Sequence, residues 1–188
     1  VSNGSAALHL IGKILKWKKG DEIIVPPITF VSSVNSIMHC NATPKFVDIN
    51  LKNYCIDVNK LENILKNNKK IKAMVITDYA GHPADWEKLA FLKKKYNIKL
   101  INDNCHAIGA SINNNFGYAC KFADLVSLSF HPVKNITTAE GGAILTNNQK
   151  YFLKGKLLRS HGIFKKSENK IKDKPWHYEM KELGYNYR

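Results

Sequence analysis

Apolar positions recur along the chain in two rhythms, one helical and one continuous. Ala7, Leu10, Ile11 and Ile14 fall at helical spacing behind Ser2-Asn3-Gly4-Ser5, where Ser2 or Asn3 can cap the first turn. Gly20-Asp21 is the expected end of that helix. Residues 22–25 read as a short strand stopped by Pro26-Pro27. Residues 29–39 return to helical period through Phe30, Val34, Ile37 and Met38, and residues 43–49 read as a strand. Asp57 is placed to cap a helix carrying Val58, Leu61, Ile64 and Leu65, and Asp85 one carrying Trp86, Leu89, Leu92 and Tyr96. Between and after them lie the apolar runs 73–77 and 99–102, both read as strands. A polar loop, 113–118, precedes two further strands, 125–128 and 143–145, and a last helix is expected from about Gln149 to Ser160. Residues 165–174 are densely charged and expected to be mobile, and no internal repeat is visible.

This alternation predicts an α/β domain with a largely parallel sheet and helices on both faces. In such sheets ligands bind beyond the carboxyl ends of the strands. Asp103 and Lys134 both follow predicted strands, so they belong to that edge. The turn at Gly4-Ser5 can join them there.

Composition narrows the picture. With 188 residues, 44% of them hydrophobic, the chain is long enough for one well-cored domain. No apolar run approaches the roughly 20 residues of a membrane helix, so no membrane partner is expected. The four cysteines form no CxxC pair, which fits a reduced, cytoplasmic chain. The net charge of +14 raises nucleic-acid binding. However, the cations are nearly all lysine and are scattered over several predicted helices; arginine, the better phosphate and base reader, occurs only at positions 159 and 188. Attraction of an anionic small substrate is the expectation instead, with no nucleic-acid partner.

Four features carry candidate chemistry. Ser2-Asn3-Gly4-Ser5-Ala6 at a helix start offers free N–H groups, a hydroxyl and the positive helix end to an anion, although most such sequences are simple caps. Neither a Walker loop nor a GxGxxG fingerprint is present. Asp103 at a strand end can be a metal ligand, a base, a partner for a ring N–H⁺, or a solvated turn residue. His106 lies nearby, but no third or fourth ligand stands at a familiar metal spacing, so no metal is expected. Cys105 reads as a small buried residue. Lys134 is either a surface charge or a nucleophile for carbonyl chemistry. Taken together, a phosphate cradle, an aromatic at Phe30, a strand-end carboxylate and a loop lysine are what pyridoxal 5'-phosphate requires. The phosphate is anchored, the ring stacked, its nitrogen kept protonated and its aldehyde held by an amine.

These residues lie in longer motifs. They include 2–8 (SNGSAAL), 25–31 (VPPITFV), 46–49 (FVDI), 103–110 (DNCHAIGA), 129–134 (SFHPVK), 138–142 (TAEGG) and 184–188 (GYNYR). In these stretches the chain resembles the sugar-nucleotide aminotransferases of the DegT/DnrJ/EryC/StrS family, in family order from first residue to last. The resemblance implies the aspartate aminotransferase-like fold of type I pyridoxal phosphate enzymes, with a mostly parallel mixed sheet flanked by helices. It implies that Lys134 holds the cofactor as an imine and moves protons, that Asp103 pairs with the ring nitrogen, and that His106 lies near the phenolic oxygen. Phe30 would stack on the ring; Gly4, Ser5, Ala6 and Ser129 would hold the phosphate. Asn186, or Arg188, would reach into the site of a partner subunit in a homodimer. The stretches 79–86 (YAGHPADW), 101–106 (INDNCH) and 176–180 (WHYEM) are similar to members acting in pseudaminic acid biosynthesis. Those aminate C4 of a UDP-linked 4-keto-6-deoxy-N-acetylhexosamine with L-glutamate as donor, toward surface glycans such as those of glycosylated flagellin.

The resemblance further implies a cofactor domain over residues 1–164 and, over 165–188, the start of a connection to a small domain. Family members carry some sequence before the first motif and that small domain after the last. The expectation is therefore a chain that binds pyridoxal phosphate without completing a turnover alone. Three other functions fit parts of the pattern: a pyridoxamine-dependent sugar dehydratase, which would carry His in place of Lys134; a non-catalytic homologue; and the basic nucleic-acid binder above.

Overall fold

A computed structural model describes residues 1–164 and 178–188. The expected charged mobile stretch at 165–174 and the Trp176-His177 part of the last motif lie outside the described residues. Six strands form the main sheet in the order β2-β1-β3-β4-β5-β6. They are β1 (Glu22–Val25), β2 (Thr43–Phe46), β3 (Ile71–Thr77), β4 (Lys99–Asp103), β5 (Leu125–Ser129) and β6 (Gly142–Leu145). All neighbours are parallel except β5 and β6, which pair antiparallel with Ser129 opposite Gly142.

The central strands β1, β3, β4 and β5 are buried on both faces because their middles are apolar, as parallel strands are when helices cover both sides, while the edge strand β2 is largely exposed. Ile24, Met74, Ile76, Leu100 and Val126 point to one side. They pack there against α3 (Val58–Asn67), α4 (Trp86–Tyr96) and the single turn α5 (Tyr118–Phe122). Ile23, Val25, Ala73, Val75, Ile101 and Leu125 point to the other. They meet α1 (Gly4–Ile14), α2 (Val31–His39) and Leu158 of α6 (Gln149–Leu158). The caps are those expected at Asp57 and Asp85, each accepting from first-turn amides, and Asn3 rather than Ser2 caps α1.

Several boundaries differ from the sequence expectation. α1 stops at Ile14 instead of running to Gly20, because Lys16 turns to φ 59° and Trp17 folds back, its amide donating to the Gly12 carbonyl. The indole fills the space a side chain at Gly12 would need: a Cβ there would lie 2.7 Å from the ring. α2 begins at Val31, since the Thr29 hydroxyl is engaged by neighbouring hydroxyls. The β2 ladder ends at Phe46, and Ile49 bridges back to Ile56 instead. Residues 178–188 return to the domain: β8 (Glu179–Met180) pairs with β7 (Ile163–Phe164), and the Tyr187 carbonyl accepts from the Ser2 amide.

Candidate active site

The carboxyl ends of β3 and β4 finish side by side at Thr77 and Asp103, and β5 runs on past Ser127, the partner of Asp103, to Ser129. The start of α1 is pressed onto this edge. A Cβ on Gly4 would lie 2.8 Å from the Ser129 Cβ, and one on Gly142 would lie 2.5 Å from the Asn3 carbonyl carbon. Two small residues thus allow a helix N-terminus to sit directly over the strand ends. Between them opens a cavity of about 450 Å³. Gly4, Ser5, Phe30, Asp103, His106, Ser129 and Lys134 all line it, so seven of the nine site residues named from the sequence meet in one place.

The other two do not line it. Ala6 is buried, and its amide donates to the Asn3 side chain at 2.8 Å, so that N–H already has its acceptor. Asn186 does not line this cavity; it is bridged to Ser160, just past the end of α6, while the Arg188 guanidinium approaches His161. The cavity also includes Ser32, Thr77, His131 and Glu140. Thr77 obeys the same strand-end rule that singled out Asp103. Ser32, His131 and Glu140 come from loop and helix positions that sequence periodicity leaves unmarked.

Asp103 is 2% exposed, at the end of a strand that is buried from Leu100 onward. Ser33 donates to its Oδ2 at 2.6 Å, and the Ser127 hydroxyl lies 3.5 Å from Oδ1. A buried carboxylate supported in this way is suited to a cationic partner. Lys134 sits half-buried in the loop between β5 and β6. That loop is closed on itself: Phe130 donates to Gly141, Thr138 donates back to Phe130, and Lys134 donates its amide to His131. The Asn135 side chain ties it to the Ile108 carbonyl. Among the described residues Lys134 joins no salt bridge.

The neighbouring titratable groups are tuned toward neutrality. Burial, and then the Lys134 cation, lower the pKa of His106, so its imidazole is uncharged at neutral pH. Its ring lies edge-on to Tyr79. Burial, and then the Asp103 carboxylate, push the Cys105 thiol far up, which removes it as a nucleophile. At the other end of the cavity, Gly4 and Ser5 belong to the first turn of α1, whose amides have no intrahelical acceptor. The Ser5 hydroxyl contacts that of Ser32 at 2.5 Å. Among the described residues no cluster of three His, Cys, Asp or Glu is placed to hold a metal ion. The arrangement offers an anion site, a buried carboxylate for a protonated ring nitrogen, and an amine for a carbonyl.

Comparison with known proteins gives a consistent answer. The description "DegT/DnrJ/EryC1/StrS aminotransferase family" matches residues 1–188. The chain is 40% identical over 189 residues to the UDP-4-amino-4,6-dideoxy-N-acetyl-beta-L-altrosamine transaminase of Campylobacter jejuni, covering all of this chain and 47% of that protein. Among solved structures it is similar to Helicobacter pylori PseC, an aminotransferase involved in the biosynthesis of pseudoaminic acid. That likeness has a TM-score of 0.86 and 34% identity, over 100% of this chain and 48% of that one. The Streptococcus pneumoniae putative sugar aminotransferase Spr1654 in its PMP form matches with a TM-score of 0.85 and 30% identity, over 98% of this chain and 50% of that one. The same protein has also been solved in a PLP form. The chain spans about half the length of the relatives it matches. The fold is that of the aminotransferases, and the chain belongs to the DegT/DnrJ/EryC1/StrS aminotransferase family.

Proposed function

We propose that these residues form the cofactor half of a pyridoxal 5'-phosphate-dependent sugar-nucleotide aminotransferase. Its expected reaction moves an amino group from L-glutamate to C4 of a UDP-linked 4-keto-6-deoxy-N-acetylhexosamine. The observation that supports this most strongly is the meeting of Lys134, Asp103 and the α1 N-terminus around one cavity. The residues present suit the cofactor on structural grounds: Asp103 is a buried carboxylate facing a cavity, with no cation among the described residues paired to it, and the glycine at position 4 leaves no side chain between α1 and Ser129.

When bound, pyridoxal phosphate supplies an electron sink for the carbon from which a proton is lost. The chain's residues do the rest. The Gly4 and Ser5 amides at the start of α1, with the Ser5 and Ser129 hydroxyls, would hold the phosphate at the positive helix end. Asp103 would keep a proton on the ring nitrogen. Phe30, 61% exposed at the rim, would be covered by the ring. His106, neutral, would donate or accept a hydrogen bond at the phenolic oxygen without adding charge. Lys134 would hold the aldehyde and, once released from it, carry a proton between the two carbon atoms concerned. A second copy of the chain would complete the site with Asn186, and the product would serve surface-glycan assembly in the cytoplasm. Residues 1–164 would form the cofactor domain, with 165–188 leading to a further one.

Two measurements test this. Protein carrying these 188 residues, mixed with pyridoxal phosphate, is expected to show an absorbance band distinct from that of the free cofactor. In a protein extended to the length of the relatives it matches, glutamate should bleach that band, and the UDP-4-keto sugar should restore it with formation of the amino sugar. A spectrum identical to free cofactor rejects the cofactor assignment. A band that glutamate bleaches but the UDP-4-keto sugar does not restore rejects the substrate.

A further inference from the structure

A row of hydroxyl groups runs behind Asp103. Thr77 Oγ1 lies 2.7 Å from Thr29 Oγ1, which lies 3.1 Å from Ser33 Oγ, which lies 2.6 Å from Asp103 Oδ2. The three come from different places: Thr77 ends β3, Thr29 precedes α2, and Ser33 stands on its first turn. Ser33 is fully buried and Thr77 is 4% exposed.

The proton count gives this row a direction. A carboxylate can only accept, so the single hydroxyl proton of Ser33 goes to Asp103. Ser33 must then accept from Thr29. The Thr29 proton is thereby used, and Thr29 must accept from Thr77. All three O–H dipoles point toward the same carboxylate oxygen, and hydrogen bonds in such a chain strengthen one another. The other oxygen is held far more loosely, with the Cys105 amide at 3.4 Å and the Ser127 hydroxyl at 3.5 Å. The carboxylate is therefore clamped through Oδ2, leaving Oδ1 to meet a donor from the cavity.

We infer that Ser33, polarised by Thr29 and Thr77, is a positioning residue for Asp103: it fixes the carboxylate plane and reserves Oδ1 for the N–H⁺ of the cofactor ring. This rests on the reading of the cavity as a pyridoxal phosphate site. Ser33 itself touches no reacting atom. Its effect reaches the cofactor only through the carboxylate, so it shows in the protonation of the ring nitrogen and in affinity. A residue that served packing alone would change neither.

The experiment uses pyridoxal phosphate labelled with ¹⁵N in the ring, bound to wild-type protein and to the Ser33→Ala, Ser33→Thr and Thr29→Val variants. Affinity is read by absorbance titration and ring protonation by the ¹⁵N shift. Ser33→Ala is expected to bind about tenfold more weakly, the scale of a lost hydrogen bond to a charged group. Its ring nitrogen should move toward the neutral-pyridine shift. Ser33→Thr keeps the hydroxyl and should restore both, while Thr29→Val should fall between. Wild-type affinity and a protonated nitrogen in Ser33→Ala overturn the inference, as does a loss of thermal stability with neither readout changed. If Ser33→Ala does not fold, the same two readouts in Thr29→Val decide it, and unchanged values there overturn it. Wild-type protein that binds no cofactor defeats the cofactor reading itself and this inference with it; wild-type binding with an indifferent Ser33→Ala defeats the inference alone.

Discussion

Asp103 ends a strand whose neighbours in the sequence, Leu100, Ile101 and Asn102, are all fully buried. A carboxylate in that position has lost most of its water and needs compensation. Ser33 supplies one strong donor, and the ring nitrogen would supply the other. Replacement by asparagine separates charge from shape. In Asp103→Asn the amide oxygen can still accept from Ser33, so the side chain keeps its place and only the negative charge is lost. The expected result is a fall of about 10³-fold in the rate of glutamate deamination, comparable to removal of a preorganised electrostatic partner. Single-turnover decay of the bound-cofactor absorbance measures it, and a variant within about tenfold of wild type would exclude the role. Asp103 and Lys134 were legible in the sequence because each follows an apolar run, and strand ends mark the ligand edge. Ser33 and Thr29 were not. They lie 70 and 74 positions from Asp103, and nothing in helical periodicity distinguishes a serine that faces a carboxylate from one that faces its own backbone.

At the scale of elements, the site depends on how closely α1 approaches β5 and β6. The Val1 nitrogen donates to the Gly142 carbonyl and the Gly142 amide to that of Val1, which ties the entry of the helix to the start of the strand. A Cβ at Gly142 would meet backbone, the Asn3 carbonyl carbon at 2.5 Å and its oxygen at 2.6 Å, and backbone cannot rotate away. Gly142→Ala should therefore cost about 2 kcal/mol by overpacking. By displacing the α1 N-terminus it should also weaken phosphate-dependent binding of the cofactor. Urea midpoints and a pyridoxal phosphate titration check the two effects, and wild-type values in both would show that this close approach is unimportant.

A second tie lies behind the site, at Asp78. Its Oδ1 accepts from the Ala84 amide and the Trp86 indole, and its Oδ2 from Tyr118, Asn102 and Asn104. One carboxylate thereby joins the end of β3 to α4, α5 and β4. Burial nonetheless raises its pKa above the ordinary 3.8. A raised folded-state pKa gives a contribution to stability that is complete below 3.8 and is lost as the pH rises through the folded value. Asp78→Asn turns an acceptor into a donor facing donors and should cost about 3 kcal/mol. The gap between its urea midpoint and that of wild type should be widest below pH 3.8 and narrow as the pH rises through the raised folded-state value; a gap independent of pH would contradict the shift. The sequence marked α4 by its Asp85 cap and apolar spacing, but not α5, whose five residues are too short to display a period. It also overran α1, because the reversal at Trp17 is a tertiary event set by the bare surface of Gly12.

For the molecule as a whole, the sheet with a packed helical layer on each face follows directly from continuous apolar strands separated by helical periods. The antiparallel β6 was within reach of the same reasoning. Residues 130–141 hold no helical pattern, and a parallel return needs a crossover, usually a helix. The loop left free of that duty carries Lys134. The net charge of +14 is spread along the chain: among the described residues lysines sit on α1, α3, α4 and α6, and several pair with carboxylates, as Lys60 does with Asp48 and Lys95 with Glu62. What sequence could not show is that these separate edges close around one cavity, since that depends on the sheet order and on two glycines that allow α1 to descend onto it. The claim on which everything turns is that Lys134 is the amine holding the cofactor. Protein carrying these residues can be mixed with pyridoxal phosphate, reduced with borohydride, digested and mapped by mass spectrometry. The account predicts a single phosphopyridoxyl-modified peptide with the label on Lys134, absent from Lys134→Ala. Label spread over the surface lysines, or concentrated on any other one, would contradict it.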